Sequence, residues 1–198
     1  DVSLQSDDRL ERSNKDGEPG DQVYVDQLET VWNTAGFLQT AVDWGKWRFS
    51  GSLRYDRLNF SADDHLLKTQ KVNSRSGERI FRSWNPYAGI QYTSGNLRYF
   101  VNWGTAFQSP TTTELVNHPD QTSGFNPYLR PQTSNGGEAG VATFVPWNGV
   151  SGELVFYSIR VDDLLLPYQS SDAGPTFYKN SGSTQHNGLE AQVDWHPE

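Results

Sequence analysis

Chemistry in this chain must come from carboxylates, imidazoles, hydroxyls, amides, guanidiniums and aromatic rings, because its 198 residues include no cysteine. Thiolate nucleophiles, thiolate metal sites and disulfides are thereby excluded. Asp63, Asp64 and His65 set hard oxygens side by side and could bind a cation, although such a run more simply forms a solvated loop. His118 and His186 are isolated and lack the spacing of a zinc site. Ser109 and Ser134 have no nucleophile-elbow context, so hydrolysis finds no support. What remains is recognition. Trp84, Asn85, His118, Phe125, Asn126, Tyr128 and Arg130 bring rings, amides and a guanidinium onto connections between regular segments, where binding residues concentrate. Rings and arginine suit an anionic, ring-bearing ligand, through cation–π contacts and charge-assisted hydrogen bonds. Asn126, Pro127 and Pro131 read first as residues that shape a turn. Tyr128 and Arg130 read equally well as turn formers or as ligand contacts.

The elements that position these residues are strands. In the segment from Trp47 to Asp56, the residues Trp47, Phe49, Leu53 and Tyr55 alternate with Arg48, Ser50, Ser52, Arg54 and Asp56. A period of two sends the two sets to opposite faces of a sheet. Leu97, Tyr99, Val101 and Trp103 repeat the pattern, as do Leu189, Ala191, Val193 and Trp195. Val155, Tyr157, Ile159 and Val161 are read as a further apolar face against Ser158, Arg160 and Asp162. The polar sets supply Arg48, Arg54, Asp56, Arg98, Arg160, Glu190 and Asp194, all expected on the face away from lipid. They are read as a ladder of cross-strand charges, each pair worth a fraction of a kcal/mol.

Connectors alternate between short and long. Gly45-Lys46, Gly95-Asn96 and Asn148-Gly149 are tight-turn signals. Ser13 to Gln27, Asp63 to Arg79, Pro110 to Pro131 and Gln169 to Pro175 read as long connections. Short turns on one rim and long loops on the other are the pattern of a membrane β-barrel. About eight long strands are expected, at Val2–Arg12, Trp32–Trp44, Trp47–Ala62, Ile80–Thr93, Leu97–Gln108, Thr133–Pro146, Ser151–Tyr168 and Tyr178–Trp195. Trp44, Trp47, Tyr92, Trp147 and Trp195 gather near the short turns, as an interfacial aromatic girdle would.

Composition agrees with this fold class, all-β and antiparallel. Only 34% of residues are apolar, yet 13% are aromatic. That pairing argues against disorder and suits strands with one apolar face. A net charge of −8 offers no basic stripe for nucleic acid. No apolar run is long enough for a transmembrane helix, which leaves a β-barrel open. The chain opens with neither an initiator methionine nor a signal peptide, and reads as a mature protein or an internal fragment.

Several segments resemble the C-terminal barrel of TonB-dependent outer-membrane receptors. Phe107-Gln108-Ser109-Pro110-Thr111-Thr112-Thr113-Glu114-Leu115 is similar to that family's F-x-x-P-x-x-x-E-L segment. Asn126-Pro127-Tyr128-Leu129-Arg130-Pro131-Gln132 is similar to its N-P-x-L-x-P-E segment, with Gln132 in place of glutamate. Glu138-Ala139-Gly140 resembles its E-x-G, and Leu53-Arg54-Tyr55-Asp56 its L-R-Y-D. Tyr178-Lys179-Asn180-Ser181-Gly182 with Gly188-Leu189-Glu190 resembles its Y-x-N-x-G and G-x-E pair. The resemblance covers nearly the whole chain.

It implies a portion of a barrel of about 22 strands, spanning residues 1–198, without the N-terminal plug domain and the remaining strands. It further implies a transporter, not an enzyme, in the outer membrane of a Gram-negative bacterium. Such a protein imports a scarce nutrient, foremost a ferric siderophore, with energy from TonB, ExbB and ExbD. Its partners would be the metal chelate and the lipid bilayer, and no cofactor is implied. Other readings of the residues are a self-contained eight-stranded porin or adhesin, marked by closure between first and last strands, and a soluble glycan-binding β-sandwich, marked by solubility without detergent.

Overall fold

The computed structural model describes residues 1–66, 76–119, 124–145, 149–169 and 176–195. Its strands are β1 (Val2–Lys15), β2 (Glu18–Trp44), β3 (Trp47–Asp64), β4 (Gly77–Ser94), β5 (Leu97–Gln108), β6 (Gln132–Val145), β7 (Val150–Asp162), β8 (Leu165–Gln169), β9 (Thr176–Asn180) and β10 (Ser183–Trp195). One short helix, α1 (Thr112–Val116), follows β5. Eight strands form one sheet in the order β1-β2-β3-β4-β5-β6-β7-β10, and every pair is antiparallel. β1 and β10 lie at opposite edges, so these eight strands do not close on themselves.

Two-residue turns join β2 to β3 and β4 to β5, with Gly45 at φ 61° and Gly95 at φ 58°. Positive φ is where glycine escapes the Cβ penalty, and a hairpin turn matched to strand twist demands it. Gly149, also at φ 58°, serves the β6–β7 connection on the same rim. Pro146, Trp147 and Asn148 lie outside the described residues.

Register assigns the faces. Trp44 pairs with Trp47, and Trp47 with Tyr92, the latter two rings 4.7 Å apart. Trp47, Phe49, Leu53, Val101, Trp103, Leu189, Val193 and Trp195 are all exposed on this apolar face. Arg48, Arg54, Asp56, Arg98, Glu190 and Asp194 occupy the opposite, polar face, as alternation requires.

Three readings need correction. The connection from Ser13 to Gln27 is not a loop. β1 and β2 continue through it and meet at Asp16-Gly17, with φ 54° and 93°. Residues 18–25 of β2 pair only with β1, so the hairpin rises beyond the rest of the sheet. Exposed or half-exposed from residue 18 to residue 24, with Val25 buried at its base, this stretch has no clean alternation to read.

Arg160 is on the apolar face, not the polar one. Glu138 pairs with Tyr157 and Leu189 with Phe156, which turns Val155, Tyr157 and Ile159 inward with Glu138 and turns Leu154, Phe156 and Arg160 outward. β7 is apolar on both faces, so its pattern could not choose between them.

Finally, the segments Ser151–Tyr168 and Tyr178–Trp195 each break in two. Asp163 at φ 56° and Gly182 at φ 73° interrupt them at the same height. Beyond that level, β8 and β9 form their own two-stranded sheet.

Candidate ligand-binding rim

Pro110-Thr111-Thr112-Thr113-Glu114 is the start of a helix. The Thr111 hydroxyl accepts from the Glu114 N–H at 3.3 Å, and the Glu114 carboxylate accepts from the Thr111 N–H at 2.7 Å. This reciprocal box satisfies two donors that a helix start leaves bare. The helix then presents Leu115 and Val116 to the sheet. They bury against Phe60 and Ala62 of β3 and Phe81 of β4, together with Phe125 and Leu129 from further along the same connection. Residues 109–119 and 124–131 thus form a strap that folds over the polar face and covers an apolar cap on it.

Polar anchors hold the strap. Arg79 of β4 donates to the carbonyls of Asn126 and Leu129, both at 2.9 Å, with its guanidinium 5.4 Å from the Phe81 ring centroid. Arg9 of β1 reaches the Thr113 hydroxyl at 2.8 Å and also pairs with Glu11 and Glu29. Asn180, at the end of β9, accepts from the Arg130 N–H at 2.7 Å and donates to the carbonyls of Arg130 and Asp163, both at 2.8 Å. Asn117 donates to the Thr176 carbonyl at 3.2 Å. The strap therefore joins β1 and β4 to the β8–β9 hairpin. Charge-assisted bonds such as those of Arg79 are the stronger members of this set.

The candidate ligand residues separate in this frame. Phe125, Asn126 and His118 are buried, at 8%, 2% and 8% exposure, whereas Tyr128 stands out at 68%. Asn126 accepts from the Tyr128 N–H through its side chain at 3.0 Å, which shapes the turn that lifts Tyr128. The His118 ring meets the Tyr128 ring edge-on at 6.3 Å. Arg130 is exposed and pairs with Asp163 at 2.8 Å. Trp84 and Asn85 belong to β4 and not to a loop: Trp84 faces outward, its ring 4.7 Å from that of Tyr55, and Asn85 faces inward. Arg79 and Asn180 were missed as anchors. Asn180 could have been found from the Y-x-N-x-G pattern, while Arg79 left no signal in the sequence.

A family model described as "TonB dependent receptor-like, beta-barrel" matches residues 3–196. The chain belongs to this family of TonB-dependent receptor barrels. It is 25% identical over 111 residues to a vitamin B12 transporter, BtuB, of Vibrio vulnificus (strain YJ016), which covers 56% of this chain and 17% of the transporter. The receptor segment thus spans about one-sixth of that relative's length. Its fold matches the hemophore receptor HasR of Serratia marcescens, solved with its hemophore HasA and heme, at a TM-score of 0.65 and 17% identity, covering 86% of this chain and 32% of that one. It also matches the ferric citrate transporter FecA at 0.64 and 16%, covering 89% and 24%. The sheet is accordingly part of a barrel, with its polar face as the inner wall.

On that inner wall below the strap, the receptor carries linked polar groups. Arg54 grips Asp56 through Nε and Nη2 at 2.8–3.0 Å and reaches Asp1 at 3.3 Å. Asn85 donates to the other side of Asp56 at 3.3 Å. Tyr87 donates to Asn102 at 2.9 Å, and Asn102 to Glu138 at 2.8 Å. Arg98 pairs with Glu153, and Arg48 with Asp43, at 3.4 and 3.8 Å. Gln192 donates to Asp194 at 2.9 Å, and Glu190 stands above them on the same wall. At the loop rim His65 lies between Asp26 and Asp63, at 3.4 and 3.9 Å. Among the described residues no group of three histidines, cysteines or carboxylates could hold a metal ion.

Proposed function

We propose that this chain is the wall and extracellular rim of an outer-membrane transporter in a Gram-negative bacterium. It imports a scarce nutrient as a metal chelate, foremost a ferric siderophore. The observation that carries this reading is the anchored strap. It holds Tyr128 and Arg130 exposed at the mouth of a polar-walled barrel, while His118, Phe125 and Asn126 brace them from behind. An aromatic face beside a guanidinium suits an anionic chelate. Ligand release inward draws on TonB, ExbB and ExbD through a plug domain, and the apolar face meets the lipid bilayer. No bond in the cargo is made or broken, so the protein is not an enzyme.

The test is uptake of radiolabelled ferric chelates by iron-limited cells with and without the full-length gene. Tyr128→Ala and Arg130→Ala should each weaken chelate binding about tenfold, near 1.4 kcal/mol, at unchanged abundance in the membrane. Wild-type affinity in both variants would remove the rim from recognition. Uptake of labelled cobalamin with no uptake of any ferric chelate would replace the cargo, in line with the vitamin B12 relative.

A further inference from the structure

Asp163 sits where β7 gives way to β8, in the left-handed region at φ 56°. Glycine adopts that backbone freely and asparagine visits it readily, so the turn itself does not call for a carboxylate. The strap does not call for one either. The Asn180 side chain accepts from the Arg130 N–H and donates to the carbonyls of Arg130 and Asp163, which already ties the two backbones together. The Ser181 N–H closes the same corner on the Leu164 carbonyl at 2.9 Å. What the carboxylate adds is one ion pair to Arg130, 2.8 Å long, between side chains that are 66% and 39% exposed. Exposed pairs of this kind contribute little to stability. The charge of Asp163 is therefore explained neither by its turn nor by the anchoring of the strap.

The pair is made at Nη2 of Arg130. A guanidinium offers paired donors along two edges, Nε with Nη2 and Nη1 with Nη2. Nη2 belongs to both. An anionic group that takes Arg130 bidentately therefore meets the Asp163 carboxylate at the same nitrogen. Two like charges about 4 Å apart lower a binding constant roughly fivefold even in water. An uncharged ligand that stacks on Tyr128 meets no such opposition. Asp163 thus weakens the attraction of Arg130 for anions and leaves neutral ligands untouched.

We propose that Asp163 is a specificity-determining residue of the rim: its carboxylate, held on Nη2 of Arg130, sets how strongly the site favours negative charge on a chelate. The inference rests on the reading of Tyr128 and Arg130 as ligand contacts. Small anions such as inorganic phosphate find Arg130 already paired. A chelate gains from Arg130 when it also stacks on Tyr128, which holds its anionic group in place to share or displace Asp163.

Binding of two ferric chelates to the full-length receptor in detergent tests this. One is a highly anionic ferric tris-catecholate and the other an uncharged ferric tris-hydroxamate, each with inorganic phosphate as competitor. Asp163→Asn keeps the shape of the side chain and suits the left-handed backbone. It should tighten the tris-catecholate about fivefold, leave the tris-hydroxamate within about twofold, and make phosphate a stronger inhibitor. Asp162→Asn, one residue away and facing outward with Arg160, should change none of the three. An equal gain for both chelates would make the effect one of space and not of charge. No gain, or a loss, would make Asp163 a brace or a direct ligand contact. Each of these outcomes would overturn the proposal. The two readings fail separately. A wild type that binds neither chelate, or wild-type affinity in Arg130→Ala, would remove the rim reading and this inference with it. Weakened binding in Arg130→Ala, with an unchanged charge preference in Asp163→Asn, would sink this inference alone.

Discussion

Arg79 illustrates how much one side chain can decide. Its guanidinium satisfies the carbonyls of Asn126 and Leu129 under a loop that also buries Phe125 and Leu129. Arg79→Met keeps much of the stem but abandons both carbonyls, and hydrogen bonds to a charged group contribute about 1.5–3 kcal/mol each. The expected result is lost hydrogen-exchange protection at Asn126 and Tyr128, with strand protection unchanged and weaker ligand binding. Asn180→Ala should give a related result, freeing Arg130 and Asp163 together because one amide holds both. Protection at Arg130 would fall, and protection retained there would show that the Arg130–Asp163 pair is sufficient alone. Neither role was legible in composition. A single arginine at the start of a strand looks like any other until the partner carbonyls, some 50 residues away, are placed against it.

Elements were legible where one face is wet and the other is not. β3, β5 and β10 alternate cleanly, and the structure puts their apolar sets on one face. β7 failed because both its faces are apolar: Tyr157 and Ile159 fill the inner wall beside small residues, while Leu154 and Phe156 face outward. Trp84 and Asn85 read as residues of a connection although the expected strand Ile80–Thr93 contains them, and β4 runs through both without a break. Pro86 is accommodated because the pairing of β4 with β5 stops at Tyr87, where no donor is required of the next residue. The strap was legible as a connection but not as a helix. Its capping box was present in Thr111 and Glu114, and its five-residue helix is too short for a periodic pattern to emerge. Thr111→Ala should cost about 1 kcal/mol of local stability, read as faster exchange at Glu114 and Leu115 with no change at β5.

At the scale of the molecule, the sheet is built for an apolar surround. Leu38 stands opposite Leu53 on the apolar face of β2 and is 74% exposed, so the protein itself buries little of it, yet Leu38→Arg should destabilise the folded barrel in bilayers by about 2–4 kcal/mol, a cost that fades toward the interfaces. Urea titrations in lipid vesicles would measure it, and an equal cost for arginine at the rim position of Leu28 would argue against membrane burial of this face. The receptor fold itself was legible because its motifs, weak singly, recur in order along a chain whose alternation supports them. Which face is lined by a strap was not, since that depends on contacts between segments far apart in sequence.

The hairpin of β1 and β2 extends beyond the other described strands of its sheet, and near its tip it is paired to itself alone. On a cell surface, a phage tail fibre or an antibody would touch that tip before reaching the strap. Apart from Gly17, held at φ 93°, and Gly20, packed against Ser13, its residues can be exchanged without disturbing what Tyr128 and Arg130 present. Sequence drift under immune or phage pressure should therefore collect at positions 12–22, giving the receptor a changeable crest above a rim that stays the same.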